Sequence, residues 1–358
     1  MRPKRFAKVL LGQALVRGGL WKRRLRTWAE HHSVIILTYH RVTETWDETL
    51  DYSQPGMVVT GSTFERQLAI LNEHFEVVTL GALLRDGVTA GRSARPRCVI
   101  TFDDGWRDNY DLAFPILRRH GLPATVFLAT DFIGTDRAFW HTELIYLFTR
   151  TDVSRSLGDE LTFRVYPSPV RHELRRLARG GPFSAHDLHP LIETVKALCD
   201  EEVIEDLVQA LSRTVGLRRP LFQDRRFFLD WDQVRAMAAA GLEIGSHGCS
   251  HRILTRLPAE AANEELVRSK AEIEHRVGGK VEHFAFPNEV ASGALVTAAA
   301  TAGYRTACLA EPVTRRGALG IRLLRRLGMH EEVCGDGRSF NEDLLRYWLF
   351  RAPDGVPA

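Results

Sequence analysis

Cys98-Val99-Ile100-Thr101-Phe102-Asp103-Asp104-Gly105 is the stretch on which the reading of this chain turns. Five apolar or β-branched residues run without polar alternation into two carboxylates and a glycine. A strand buried on both faces of a parallel sheet reads this way; one with a solvated side does not. In α/β barrels the C-terminal ends of such strands form the active face. Two adjacent carboxylates at that end must point in different directions, so one can bind a metal while the other faces a substrate. Gly105 permits the sharp turn that follows. A turn with two solvated carboxylates remains the plainer reading of the same three residues.

Working outward, residues 34–37 form a similar run that leads into Thr38-Tyr39-His40, and others occupy 124–129, 242–244, 283–286 and 306–310. Helical patterns lie between them. Thr63 is placed to cap the pattern that follows it, a stretch from Asn109 ends at Gly121-Leu122-Pro123, and the one after Pro258 ends at Gly278-Gly279. Proline at the start and glycine at the stop are the expected punctuation. This alternation predicts an α/β fold with a parallel sheet. From about 135 to 228 the rhythm breaks into charged helical text, read as a helical insertion. The organisation expected is a basic helical segment over 1–32, a catalytic domain over 33–345 carrying the insertion, and a tail over 346–358.

The second constellation is Ser246-His247-Gly248-Cys249-Ser250-His251. Two histidines four apart can meet one ion where the backbone is helical or turned. No glutamate lies between them, so the base of a zinc protease is missing and must come from elsewhere; Asp103 is available. Two histidines and a carboxylate make an N,N,O set with positions open to water and substrate. That set suits Zn2+ and also accepts Co2+, Ni2+ or Fe2+. Such a histidine pair is also common for purely structural reasons, and Cys249 reads as a small residue filling the turn rather than a sulfur ligand.

The composition of the 358 residues, 44% hydrophobic and 26% charged, is that of an ordinary globular protein. A net charge of +3 is too small to argue for nucleic acid. Five cysteines with no close pair fit reduced thiols and point to the cytoplasm. The first 32 residues begin with positive charge and an apolar run that Gln13, Arg17 and the Lys22–Arg24 cluster break up, unlike a cleavable signal. They read either as a leading helix packed on the domain or as a basic helix resting on the inner membrane surface.

The ordered set of motifs resembles the polysaccharide deacetylases of carbohydrate esterase family 4, from about residue 35 to 327 apart from the insertion. Its parts are Tyr39-His40-Arg41, the TFDDG of 101–105 followed by Trp106-Arg107-Asp108-Asn109-Tyr110, Pro123-Ala124-Thr125-Val126-Phe127, Leu229-Asp230-Trp231, SHGCSH at 246–251, and Phe284-Ala285-Phe286-Pro287. The last resembles a branch associated with bacterial exopolysaccharides. The resemblance implies a distorted (β/α)7 barrel and metal-dependent removal of acetyl groups from N-acetylated sugars of a polysaccharide or glycan precursor. It implies Asp104, His247 and His251 as metal ligands and Asp103 as the base activating a metal-bound water. It also points to His330 as the acid and to an oxyanion contact from the N–H of Asn288 beside Pro287; His40, which ends the first strand and should face the pocket, is the other candidate acid. Trp106 is a candidate for stacking on sugar, with core packing as its alternative. The arginine that holds the base in many relatives is replaced here by Ala285, leaving Arg326 or Arg107 for that task. O-ester or formamide hydrolysis, or a catalytically silent carbohydrate-binding relative, are the other functions such a chain would serve.

Overall fold

The computed structural model describes residues 3–31, 33–46, 52–54, 56–86, 95–157, 165–222, 225–310, 317–335 and 339–352. The end of the expected tail, 353–358, lies outside them. The strands are β1 (Val34–Tyr39), β2 (Arg41–Thr43), β3 (Val58–Thr60), β4 (Glu76–Val77), β5 (Arg97–Phe102), β6 (Thr125–Leu128), β7 (Glu243–Ser246), β8 (His283–Ala285), β9 (Thr306–Cys308), β10 (Arg322–Leu324) and β11 (Leu327–Gly328). The main sheet runs β10-β9-β8-β7-β6-β5-β1-β11, with β4 also on β5, and its pairings are parallel. All six runs read from the sequence are strands of this sheet. β1 and β5 are buried along their whole length, as two-sided burial requires.

The sheet path has two edges, β10 and β11, and only Arg325 and Arg326 separate them in the chain. Three Cα steps span at most ~11 Å. Parallel strands lying side by side need a far longer crossover, so the two follow one another along a single run of chain that pairs first with β9 and then with β1, and this rolls the sheet into a barrel. This is the distorted α/β barrel expected, with β1 and β5 to β10 as its seven principal strands. Phe127, Val99, Ala285, Cys308 and Leu324 fill one core cluster. Gly245 makes room for it: a Cβ there would stand 2.5 Å from the Phe127 ring.

Helix boundaries follow the punctuation with one difference. The helix Gly61–His74 is capped by Thr60, whose hydroxyl accepts from the Thr63 N–H, so Thr63 is the third helical residue and not the cap. Gly121 and Gly278 end their helices at φ 62° and 79°, in the left-handed region glycine favours.

The chain divides into two compact units: Met1–Trp46, Val59–Thr135 and Phe228–Ala358 form the first, Asp47–Val58 and Asp136–Phe227 the second. The second is helical, and no strand occurs among its described residues from 136 to 227. Its helices Trp140–Arg150, Ser168–Leu177, Ala185–Leu198 and Glu201–Thr214 bury Leu144, Leu174, Leu188, Ile192 and Leu207 in a core of their own. In the first unit, helices Pro3–Arg17 and Leu20–Glu30 bury Val9, Trp21 and Trp28, and helix Glu342–Phe350 spans the boundary between residues 345 and 346, the last of the expected domain and the first of the expected tail. Gly12 meets that last helix backbone to backbone, since a Cβ on it would lie 2.2 Å from the Asp343 carbonyl oxygen.

Candidate active site

Strand register assembles the site. β1 and β5 pair with Tyr39 opposite Phe102, so the next residues, His40 and Asp103, emerge side by side. β7 pairs with Leu128 opposite Ser246 and with Phe284 opposite Ser246, which sets His247 beside Ala285. The backbone continues the ladders into the turns: Asp103 N–H donates to Tyr39 O at 2.9 Å and His247 N–H to Leu128 O at 2.8 Å.

Asp104, His247 and His251 converge so that one ligand atom from each lies within 4.8 Å of the others. Asp104 Oδ1 is 3.4 Å from His247 Nε2 and 3.2 Å from His251 Nε2. Second partners hold each of them. Asp104 Oδ2 accepts from Trp106 Nε1 at 2.7 Å. His247 Nδ1 lies 2.7 Å from the Ala285 carbonyl; a carbonyl only accepts, so Nδ1 carries the proton and Nε2 is left for the cluster. The loop bearing His251 is fastened by Glu265, a buried carboxylate that accepts from the N–H groups of Cys249 (2.6 Å) and Ser250 (3.0 Å) and from the Ser250 hydroxyl (2.5 Å). Cys249 Sγ turns away to the Glu265 carbonyl, so it is not a fourth ligand.

Backbone strain gathers at the same place. Asp104 (φ 75°), His251 (φ 59°), Asn288 (φ 57°) and Glu289 (φ 56°) occupy the left-handed region that residues with a Cβ avoid. Gly105, at φ 78°, has no alternative residue, because a Cβ would stand 2.8 Å from Leu128 and 2.9 Å from Ile133.

Arg326 holds the other aspartate. Its side chain is fully buried and forks onto Asp103 with Nη1–Oδ1 at 2.7 Å and Nη2–Oδ2 at 2.6 Å, while Nε donates to Glu289 Oε1 at 2.9 Å. This is the bidentate geometry a guanidinium offers and an ammonium does not. Arg107 is instead exposed and paired with Asp111. Burial pushes the Asp103 carboxyl up, but the charges of Arg326, His247 and His40 outweigh it and hold the group below the usual carboxylate range. For Asp104 burial is again opposed, by His251 and His247, and the result lies well below that range. Burial alone would depress His247; Asp103 and Asp104 raise it.

The remaining candidates divide. His40 Nε2 stands 3.9 Å from Asp103 Oδ2, with its backbone carbonyl held by the Asn109 amide. His330 follows β11, with the Trp348 ring edge-on at 6.3 Å. Burial pulls the pKa of His330 down, Glu332 opposing and His40 adding to the fall. Nδ1 of both histidines is buried and has no hydrogen-bond partner among the described residues. Glu331, the neighbour of His330 in the chain, is buried and accepts from Thr60 N–H (2.9 Å), Thr60 Oγ1 and Thr63 Oγ1. Asn288 is exposed at the turn after Pro287. Trp106 and Pro287 are both buried, Trp106 as its core-packing alternative has it. Trp106 is stacked on Phe228 at 4.7 Å and is spent in the core, where its N–H orients Asp104; Pro287 opens the turn that positions Asn288.

Sequence reading missed Glu265. The signal was present: it falls among Ala262, Leu266, Ser269 and Ile273 on the buried stripe of the helix Ala259–Val277, where an unpartnered glutamate is not tolerated.

The cluster has the chemistry of a cation site. Asp104 Oδ1 is buried and has no hydrogen-bond partner among the described residues, although two imidazole nitrogens face it. Three electron-rich atoms converging on one point are satisfied together by a cation.

The family described as polysaccharide deacetylase matches residues 90–307. A Bacillus subtilis protein named as a polysaccharide deacetylase, YxkH, is 44% identical over 48 residues, 13% of this chain and 17% of that protein. The poly-beta-1,6-N-acetyl-D-glucosamine N-deacetylase of Staphylococcus epidermidis is 31% identical over 115 residues, 30% of this chain and 39% of that protein. The matches thus span well under half the length of these curated relatives. Among solved structures, the Streptococcus pyogenes deacetylase PplD in complex with acetate aligns with TM-score 0.52 at 16% identity, over 88% of this chain and 98% of that one. IcaB from Ammonifex degensii aligns with TM-score 0.51 at 14% identity, over 90% and 97%. These two likenesses are of fold.

Proposed function

This chain belongs to the polysaccharide deacetylase family, and from that premise we propose that it hydrolyses the acetamide of an N-acetylated sugar in a polysaccharide or glycan precursor. The observation that carries the reading is the pairing of a cation-type cluster with a separately held carboxylate: Asp104 Oδ1 between two imidazoles, and Asp103 locked by Arg326 one residue away. Asp104, His247 and His251 would hold a divalent cation, with Zn2+ the best match to two nitrogens and an oxygen. Such an ion supplies Lewis acidity toward an acetyl carbonyl and toward water.

The chain's own groups do the rest. Asp103 is kept ionised by Arg326 and is therefore ready to take a proton from the attacking water. Arg326 also keeps that carboxylate from swinging onto the ligand cluster. The oxyanion that forms needs a donor, and the backbone N–H of Asn288, held in its left-handed turn, is the candidate. The departing amine needs a proton, for which His330 and His40 compete.

Bound metal and acetate release from acetylated sugar oligomers test the assignment. Asp103→Asn should keep its metal and lose turnover by about 10²–10⁴, whereas His247→Ala should lose the metal. A wild-type protein that holds no metal and frees no acetate from any acetylated sugar defeats the reading. Metal loss in Asp103→Asn with none in His247→Ala reverses the two roles.

A further inference from the structure

We propose that the N-terminal helical pair docks this protein onto an anionic lipid bilayer, an inference that does not depend on the deacetylase reading. The helix Pro3–Arg17 is apolar on two flanks. One is used, since Val9 is buried and Gly12 lies against the Asp343 backbone. The other carries Phe6, Leu10 and Leu11, which are 52%, 48% and 51% exposed. At 100° per residue these three occupy an arc of about 140°. Leu20, at the start of the next helix, is 46% exposed. Four of the nine exposed large hydrophobic side chains among the described residues therefore fall within the first 20 positions. An apolar flank on a helix whose opposite flank is already packed needs a cover of its own.

Charge identifies the cover. Nine of the chain's 48 lysines and arginines lie in the first 29 residues and none of its 45 acidic residues does, so the rest of the chain is net acidic. Lys8 and Arg17 are exposed on the first helix, and Lys22, Arg23 and Arg26 on the second. A nucleic acid would meet the charge but not the phenylalanine and leucines. A second copy of this chain would meet the apolar flank, but a two-fold interface there would set these cations against themselves. A bilayer with anionic headgroups satisfies both: leucine and phenylalanine enter the acyl boundary and the cations meet phosphate. No described helix is long and apolar enough to cross a membrane, so the pair would lie in the interface. The packed flank ties that surface to the helix Glu342–Phe350, whose Trp348 stands beside His330.

The test is sedimentation of the full chain with vesicles of phosphatidylcholine alone or with phosphatidylglycerol. Binding is expected only with the anionic vesicles, and should weaken on the order of tenfold or more between about 0.1 M and about 0.5 M salt. Leu10→Glu/Leu11→Glu should abolish it. Lys22→Glu/Arg23→Glu/Arg26→Glu, which leaves the buried Trp21 and Trp28 in place, should do so independently with the thermal unfolding midpoint retained. Absence of wild-type binding, equal binding to uncharged vesicles, or binding that survives both variants overturns the proposal. A dimer seen by light scattering that Leu10→Glu/Leu11→Glu dissociates, with no vesicle binding, assigns the flank to a second copy instead.

Discussion

The two halves of the site are built differently. In the metal-type half, each candidate ligand is fixed by a second partner: Trp106 for Asp104, the Ala285 carbonyl for His247, and Glu265 for the loop carrying His251. In the acid half, His40 and His330 each keep a buried Nδ1 with no hydrogen-bond partner among the described residues. A held donor set costs little to organise when a cation arrives. An imidazole without such an anchor can change tautomer or turn, which suits a group that must release a proton to a substrate and recover it. The contrast is therefore between candidate ligands held still and candidate acids able to change state.

The largest effect should come from the arginine between β10 and β11. Arg326→Met leaves Asp103 and Glu289 beside an uncharged neighbour, and breaking a buried pair in this way costs about 3–5 kcal/mol. Denaturant unfolding should show that loss at neutral pH. Its pH dependence follows from the depressed Asp103 pKa. The wild-type contribution is present above the unfolded carboxylate value and is lost as pH falls through the folded one. In the variant the desolvated carboxyl is no longer depressed, so the gap in stability between the two proteins should narrow as pH drops below about 4. A gap independent of pH would show that Arg326 stabilises by packing alone.

This residue also marks where the sequence stops being readable. Asp103, Asp104, His247 and the strands preceding them were legible because a continuous apolar run ends abruptly in polar residues, and burial on both faces produces that pattern. β10 and β11 were not, because Arg322, Arg325 and Arg326 interrupt their apolar residues and arginine is ordinarily a surface residue. Only the rolled sheet, in which one run of chain passes through Arg326 from its pairing with β9 to its pairing with β1, turns that arginine inward. Trp106 stayed open between sugar stacking and core for a related reason, since a tryptophan after such a turn suits either, and the close approach of Phe228 is what favours the core.

Next in size is the acid. If His330 supplies the proton, His330→Gln should cost about 10²-fold or more in kcat and remove the alkaline limb of the rate profile, with His40→Gln leaving that limb in place. The limb should lie below the ordinary histidine value, since burial depresses His330. The same depression means that His330 adds stability above its unfolded pKa and withdraws it as pH falls, so His330→Gln should unfold less readily in mild acid than wild type relative to pH 8. Retention of the limb in His330→Gln with its loss in His40→Gln transfers the role.

Glu265→Gln comes third. It removes the charge that accepts from Cys249, Ser250 and the Ser250 hydroxyl and frees the loop of His251. Zn2+ affinity, read by competition with a chromophoric chelator, should fall about 10–100-fold. Metal affinity unchanged in a folded protein would mean that the left-handed turn at His251 holds its own shape.

The smallest effect, and the sharpest on the comparison itself, is expected from Trp106→Phe. The substitution keeps an aromatic ring to stack on Phe228, which stands 4.7 Å from the indole, and deletes only the N–H that reaches Asp104 Oδ2 at 2.7 Å. Oδ2 is then left buried without its donor, at a cost of about 1–3 kcal/mol before relaxation. Some of that cost disappears when Oδ2 itself turns toward the cation, so the expected loss of Zn2+ affinity is about tenfold, below that for Glu265→Gln. A second-partner role predicts that restoring saturation with excess Zn2+ returns kcat to near the wild-type value, because nothing that handles protons has been touched. A role for Trp106 against the sugar predicts the reverse pattern: metal affinity intact, KM raised, and no rescue by metal. The indole is only 1% exposed, so the first pattern is expected, and the second would require the turn at 104–106 to open when substrate binds.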